Sequence, residues 1–173
     1  MPIVQPSQAI VDLARNLYQE ARRANQNDIN IFQPGLVREF IIAFQLGHNV
    51  NTNKREHDAE SRSNPIERYE YLTAFGRSSF QIDRVKSDPN QRTQQLNRIT
   101  RNHKIYFASF NRQDLSITKI WKLDNVNHMR DEANRLLDLA HSNNVQIKHL
   151  TFPIKWLNLA VRDQHAEIVF DSP

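Results

Sequence analysis

Apolar and polar positions recur along this chain with two different periods, and each change of period marks an element. From Ser7 onward Ile10, Leu13, Ala14, Leu17, Tyr18 and Ala21 fall at helical spacing, with Asp12, Arg15, Glu20, Arg22 and Arg23 between them. This predicts one amphipathic helix over residues 7–25 and a loop over 26–33. Pro34 and Gly35 open a second helix with the apolar face Leu36, Val37, Phe40, Ile41 and Phe44. Gly47 suits its C-terminal cap, where a positive φ is often required. Over residues 56–73 the pattern becomes strand-like. One strand carries Glu56, Asp58 and Glu60, the turn formers Ser63, Asn64 and Pro65 follow, and a second strand carries Tyr69-Glu70-Tyr71-Leu72.

The remaining pattern is read in the same way. Residues 76–86 predict a loop and then a short strand. Residues 89–102 are polar and basic, with a narrow apolar stripe at Leu96 and Ile99, and predict a helix that also carries Arg92, Arg98 and Arg101. Residues 104–110 form the most continuous apolar run, which its length and aromatic content assign to a buried strand. A turn at 111–114 leads to a strand over 115–123, antiparallel because the connection is short. Asp124 is placed as the cap of a long helix with Val126, Met129, Ala133, Leu136, Leu137 and Ala140 inward. That helix ends at 141–144. A strand over 145–150, a short helix over 153–161 with Trp156 packed inward and a closing strand over 166–170 complete the chain. The order predicts a single α+β domain spanning residues 1–173, with a mixed sheet flanked by helices.

Composition narrows the partners. A chain of 173 residues is long enough to bury one core. Its formal net charge of +4, with seven histidines besides, favours an acidic partner, nucleic acid first. The absence of cysteine excludes disulfides and thiolate zinc sites. With only three glycines, Gly35, Gly47 and Gly76, a Gly-rich phosphate loop is excluded. No apolar stretch approaches the ~20 residues needed to span a bilayer, and residues 1–8 lack the pattern of a signal peptide, so no membrane association is expected.

The chemistry is placed in the 56–73 hairpin. If its strands pair, Asp58 and Glu70 face each other. Two carboxylates side by side are costly unless a cation lies between them, and Mg2+, which takes oxygen ligands and keeps several waters, suits such a pair. Ordinary solvated acids on an exposed hairpin would give the same spacing.

With these elements in place, the chain resembles the type II restriction endonucleases of the PvuII kind, within the PD-(D/E)XK nuclease superfamily. The residues that carry the resemblance occur in the family's order. They are Asn27-Asp28-Ile29-Asn30-Ile31-Phe32-Gln33 before the second helix, His57-Asp58-Ala59 and Tyr69-Glu70 on the two catalytic strands, Ile105 to Phe110 on the buried strand, Asn143-Asn144 after the long helix, and Ile168-Val169-Phe170 near the C-terminus. The resemblance implies a restriction-endonuclease-like fold and a restriction–modification role in the bacterial cytoplasm. It implies hydrolysis of double-stranded DNA at a short palindrome by a homodimer, with the first helix as the candidate dimer element. Asp58 and Glu70 would hold Mg2+, which would polarise the scissile phosphate and activate a water.

Three departures from the family pattern matter. The family places a lysine two residues after the glutamate, where this chain has Leu72. Strand periodicity puts Thr73 on the other face, so Thr73 replaces that lysine only through a bulge. Lys54, Arg77 and Lys86 are the other candidates for a migrated cation, and Glu56 or Glu60 for an added ligand. Pro34 stands where the family has an acid, which implies a target different from CAGCTG; an interrupted, GC-containing palindrome such as GCNGC is one candidate. The family's base-reading histidine cluster is absent, and Gln81, Asp83 and Arg84 are the residues suited to base edges in its place. Arg77, Arg98 and Arg101 suit phosphates. Asn143, Asn144 and His149 complete the DNA-contacting set, although an Asn pair at a helix end is also an ordinary αL cap. Two other classes stay open: a DNA-binding protein on the same fold that does not cut, motivated by Leu72, and a basic RNA-binding domain, motivated by charge alone.

Overall fold

The structure, a computed structural model, describes residues 3–24, 34–51, 57–76, 79–83 and 92–172. The elements in order are β1 (Ile3–Val4), α1 (Gln8–Ala24), α2 (Pro34–Leu46), β2 (His48–Asn51), β3 (Ala59–Ser61), β4 (Arg68–Phe75), β5 (Phe80–Asp83), α3 (Arg92–Thr100), β6 (Lys104–Phe110), β7 (Ile117–Leu123), α4 (Val126–Ser142), β8 (His149–Phe152), α5 (Ile154–Arg162) and β9 (Ala166–Asp171). Seven strands form one sheet in the order β1-β2-β3-β4-β6-β7-β9, and β5 pairs with β8 in a second, two-stranded sheet. Strands β4 and β6 run parallel and the other pairs antiparallel, so the protein is α+β with a mixed central sheet flanked by helices.

The central strand explains its own sequence. β6 lies between β4 and β7 with helices over both faces, and Ile105 through Phe110 are all buried. A strand covered on both sides has no solvent face on which to alternate, so it reads as an unbroken apolar run. Two cores result. On one face of the sheet Val11, Ile41, Ile42 and Ala43 pack on Tyr69, Tyr71, Tyr106, Ala108 and Phe110. On the other, Ile99, Met129, Ala133, Leu157 and Ala160 pack on Leu72, Ala74, Ile105, Phe107 and Trp121. Strand β4 therefore divides its side chains: Glu70, Leu72 and Ala74 look toward α3 and α4, and Tyr69, Tyr71, Thr73 and Phe75 toward α1 and α2.

Several boundaries differ from the sequence pattern. Asp124 does not cap α4: Asn125 does, without a side-chain hydrogen bond, and Asp124 lies 3.2 Å from Lys122. Leu115 is not in a strand. It turns at φ 56, buried, while the Asp114 carboxylate accepts the backbone N–H and hydroxyl of Ser116 at 2.9 and 2.8 Å. The strand expected at 145–150 begins only at His149, because Asn144 reverses the chain at φ 52 and Val145 to Lys148 are still leaving α4. Strands β1 and β2 were not foreseen. Gly47 does take the positive φ, 70°, that the second helix's end requires. Arg92, which the sequence pattern places on this helix, clamps α3 to α4 through Asn134 Oδ1 at 2.8 Å, Asn134 O at 2.7 Å and Asp138 Oδ1 at 2.8 Å. No described helix is long and apolar enough to cross a membrane.

Candidate active site

The hairpin's turn brings the two acids together. Asn64 accepts the Glu67 N–H on its carbonyl at 2.9 Å, and Ser61 Oγ accepts the Asn64 N–H at 3.2 Å, which closes the connection between β3 and β4. The strands then register Ala59 on Tyr69 and Glu60 on Arg68. Carried one residue further, this register sets Asp58 beside Glu70. Asp58 is tied to both flanking strands: its N–H donates to Tyr69 O at 3.0 Å and its carbonyl accepts the Asn51 N–H at 2.8 Å. Its carboxylate Oδ2 accepts the Tyr71 N–H at 2.9 Å, replacing a ladder bond, so the side chain is oriented along β4.

Glu70 is held differently. Its Oε2 is buried and has no hydrogen-bond partner. Burial first, and Asp58 second, push its carboxyl up to about 8, against the positive charges of Arg101 and Arg98, which pull it down. Glu39 on α2 adds to the negative field. That residue is 7% exposed and was missed in the sequence, although a charge inside the apolar arc of Leu36, Val37, Phe40 and Ile41 was its signal. The site thus sets two neighbouring carboxyls and a third acid, Glu39, against the arginines Arg98 and Arg101. Among the described residues no three His, Cys, Asp or Glu side chains converge as a metal centre. Two carboxylates completed by water is nevertheless a coordination that Mg2+ accepts. Asp58 and Glu70 fit it, and their placement side by side on paired strands is the observation that favours it.

The other expected residues fall into groups. Thr73 is corrected: it lies on the face opposite Glu70, and the register of β4 on β6 runs from Tyr69 to Phe75 with no bulge to bring it round. Leu72, in the lysine position, is buried in the core on the Glu70 face. Lys54, Arg77, Arg84, Lys86 and Glu56 lie outside the described residues. Glu60 is buried, 3.8 Å from His57 Nε2, and His57 is 3.4 Å from Asn51 Nδ2, so that pair is engaged in holding β2 to β3. Arg98 and Arg101 are exposed at the end of α3 nearest Glu70.

The base-reading candidates converge. In the second sheet Gln81 pairs with Thr151 and Asp83 with His149, while the alternate positions Phe80, Leu150 and Phe152 are buried in the core. Asn143 and His149 line one groove of about 380 Å³ with Leu136, Leu139, Val145 and Ile147. Asn143 Nδ2 also donates to Leu139 O at 2.8 Å, and Asn144 is the αL residue, so both serve the end of α4.

The opposite face of β4 holds a cluster that no local motif announced. His48 Nδ1 lies 2.7 Å from Tyr71 Oη, and its ring sits 4.4 Å from that of Tyr69 and 5.1 Å from that of Tyr106. Burial, with Lys104 and Arg62 adding, pushes His48 down to about 4, so the imidazole is neutral. Burial pushes Tyr69 up to about 12 and also raises Tyr71 well above the usual phenol range, so the phenols keep their protons.

No protein-family model matches the chain, and a search of the curated proteins finds no match.

Proposed function

We propose that this chain is a Mg2+-dependent, site-specific endonuclease of the type II restriction kind, built on a PD-(D/E)XK fold, which cuts double-stranded DNA at a short palindrome as a bacterial homodimer. The observation that carries the reading is the strand-to-strand placement of the Asp58 carboxylate against that of Glu70. When bound, Mg2+ supplies the Lewis acid that polarises a phosphate and makes water nucleophilic near neutral pH. The chain's own residues do the rest. The Tyr71 N–H aims Asp58. Glu70 is fixed on a central strand. Arg98 and Arg101 offer positive charge to phosphate oxygens on the same side. Hydrolysis then bonds the water oxygen to phosphorus and expels one ester oxygen as a hydroxyl. The β5–β8 sheet, with Gln81 and His149, and the adjoining Asn143 and Asn144 give a surface for base edges. For dimerisation, α1 buries Val11 in the core yet leaves Ile10, Leu13 and Leu17 38%, 66% and 43% exposed along one side. A second copy would cover that stripe.

One observation favours a second reading. The lysine position is a core leucine. A protein that binds DNA without cutting would keep salt-dependent binding and need no Leu72→Lys exchange to do so. Incubating the protein with unmethylated phage DNA, with and without Mg2+, separates the two. Discrete fragments that vanish with EDTA establish the endonuclease. Intact DNA that still shifts in a binding assay establishes the second reading.

A further inference from the structure

Two buried oxygens without partners lie against one cavity. Glu70 Oε2 and Asn102 Oδ1 are both shielded from solvent and unbonded. Their residues line the same space, about 20 Å³ in volume, between β4, α3 and α4. Asn102 sits in the turn after α3 and is 3% exposed. Its Nδ2 closes the helix, donating to Arg98 O at 3.0 Å and to Ile99 O at 3.4 Å, which leaves Oδ1 turned into the cavity. Buried polar atoms nearly always find a partner, and each one left alone costs roughly 1–3 kcal/mol. Two such atoms at one small cavity call for a common ligand.

The walls decide which ligand. Leu72, Ile82, Ile99, Ile105 and Met129, with Arg98, line the rest of the space. A Mg2+ or Ca2+ ion needs about six or more oxygen ligands, and two oxygens beside a guanidinium and hydrocarbon cannot supply them. A water needs room of roughly 10–15 Å³ and two or more polar partners, and the cavity meets both needs. We infer that Glu70 Oε2 and Asn102 Oδ1 hold one buried water, and that Asn102 is the positioning residue that fixes Glu70 through it. The water donates one hydrogen to each oxygen. With Oε2 engaged on the α3 side, Glu70 presents Oε1 alone toward Asp58. A cation at the pair is then held by Glu70 through one oxygen, the arrangement suited to the strict octahedron of Mg2+ and not to the bidentate grip that Ca2+ accepts.

The test has two arms. In a high-resolution crystal structure of the unaltered protein, density for one water within hydrogen-bond distance of both oxygens is expected. A dry cavity, or direct contact between the two side chains, overturns the proposal. In the second arm, calorimetry without DNA measures Mg2+ affinity. This arm rests on the metal reading above and the first does not, so failure of metal binding in the unaltered protein would sink that reading and leave the density to decide this one. Asn102→Ala, and Met129→Phe, which fills the cavity without touching the α3 cap, are expected to weaken Mg2+ by about tenfold, as lost outer-shell support does. Arg92→Ala, which loosens α3 from α4 away from the cavity, should lower thermal stability and keep the affinity. Unchanged affinity in both cavity variants, or an equal loss in Arg92→Ala, overturns the positioning role.

Discussion

The two faces of β4 carry ionisable groups and treat them in opposite ways. On the α1–α2 face, Tyr71 Oη meets His48 Nδ1 at 2.7 Å and Tyr69 Oη donates to Glu67 Oε2 at 2.7 Å, with the rings of Tyr69, Tyr71 and Tyr106 packed around the imidazole. On the α3–α4 face, one residue along, Glu70 Oε2 has nothing. A satisfied buried network fixes a structure, whereas an unsatisfied one marks where something else is to bind. The strand is the same; hydrogen bonding is what separates scaffold from site. Mutation should therefore separate stability from activity between the faces.

The largest effect is expected from the acids. Asp58→Ala should reduce DNA cleavage by roughly a thousandfold or more, about 4 kcal/mol of transition-state stabilisation. Glu70→Leu should abolish cleavage equally while leaving the metal-free fold as stable or more so, because it removes a buried carboxyl with one oxygen unbonded. Tyr71→Phe should do the reverse, costing about 1–3 kcal/mol in denaturant melts by stranding His48 Nδ1, with a smaller loss of rate. Melts showing that Glu70→Leu destabilises as much as Tyr71→Phe would break the comparison.

Proton linkage sharpens it further. Glu70 is raised from its ordinary 4.5 to about 8, so the folded, metal-free protein is favoured below pH 4.5 and loses stability as pH rises through 8. A cation that displaces the proton should bind more tightly over the same range, by up to about tenfold per pH unit below pH 8. Thermal shifts with Mg2+ should therefore grow from pH 6 to pH 8.5, and a flat profile would count against Glu70 as the metal's ligand. His48 runs the other way. Its pKa is lowered from 6.5 to about 4, so its contribution is whole above pH 6.5, declines as pH falls and is gone below about 4. Acid unfolding should begin below pH 6.5 and amount to at most roughly 3 kcal/mol from this group. His48→Gln should flatten that limb without moving the Mg2+ profile.

How much of this was legible in the sequence depended on whether the cause was local. The period-two alternation of Tyr69 to Phe75 separates Glu70 and Leu72 from Thr73, and the structure keeps that division. The turn formers Ser63, Asn64 and Pro65 were enough to pair Asp58 with Glu70, because a short hairpin leaves little freedom of register. The α+β order followed from the same alternations. The parts that were not legible depend on partners distant in the chain. Asp83 meets His149 only because β5 and β8 pair across the intervening α3, β6, β7 and α4. His48 gains its role from Tyr71 and Tyr106 on two other strands. Asn102 looked like an ordinary residue after a helix, and only its 3% exposure sets it apart. Val145 and Ile147 alternate as a strand would, but Val145 is 52% exposed and Asn144 has already turned the chain.

The smallest effect tests the open face from its rim. Arg101 is exposed, and its charge favours ionised Glu70, so it stands where a phosphate approaching the acids would pass. If it contacts that phosphate, Arg101→Ala should weaken binding to all DNA sequences alike and reduce the slope of log affinity against log salt by about 1. It should also remove a charge that holds the Glu70 carboxyl down, so the Mg2+ profile should move to higher pH. Arg162 gives the control. It is likewise an exposed arginine, and it pairs with Asp163 at 2.9 Å at the end of α5, away from β4. Arg162→Ala should change neither the salt slope nor the Mg2+ profile. A shared change of slope would mean that DNA senses only the net charge of +4, not the face of β4 on which that charge sits. A change confined to Arg101 would tie DNA and the cation to the same side of the sheet.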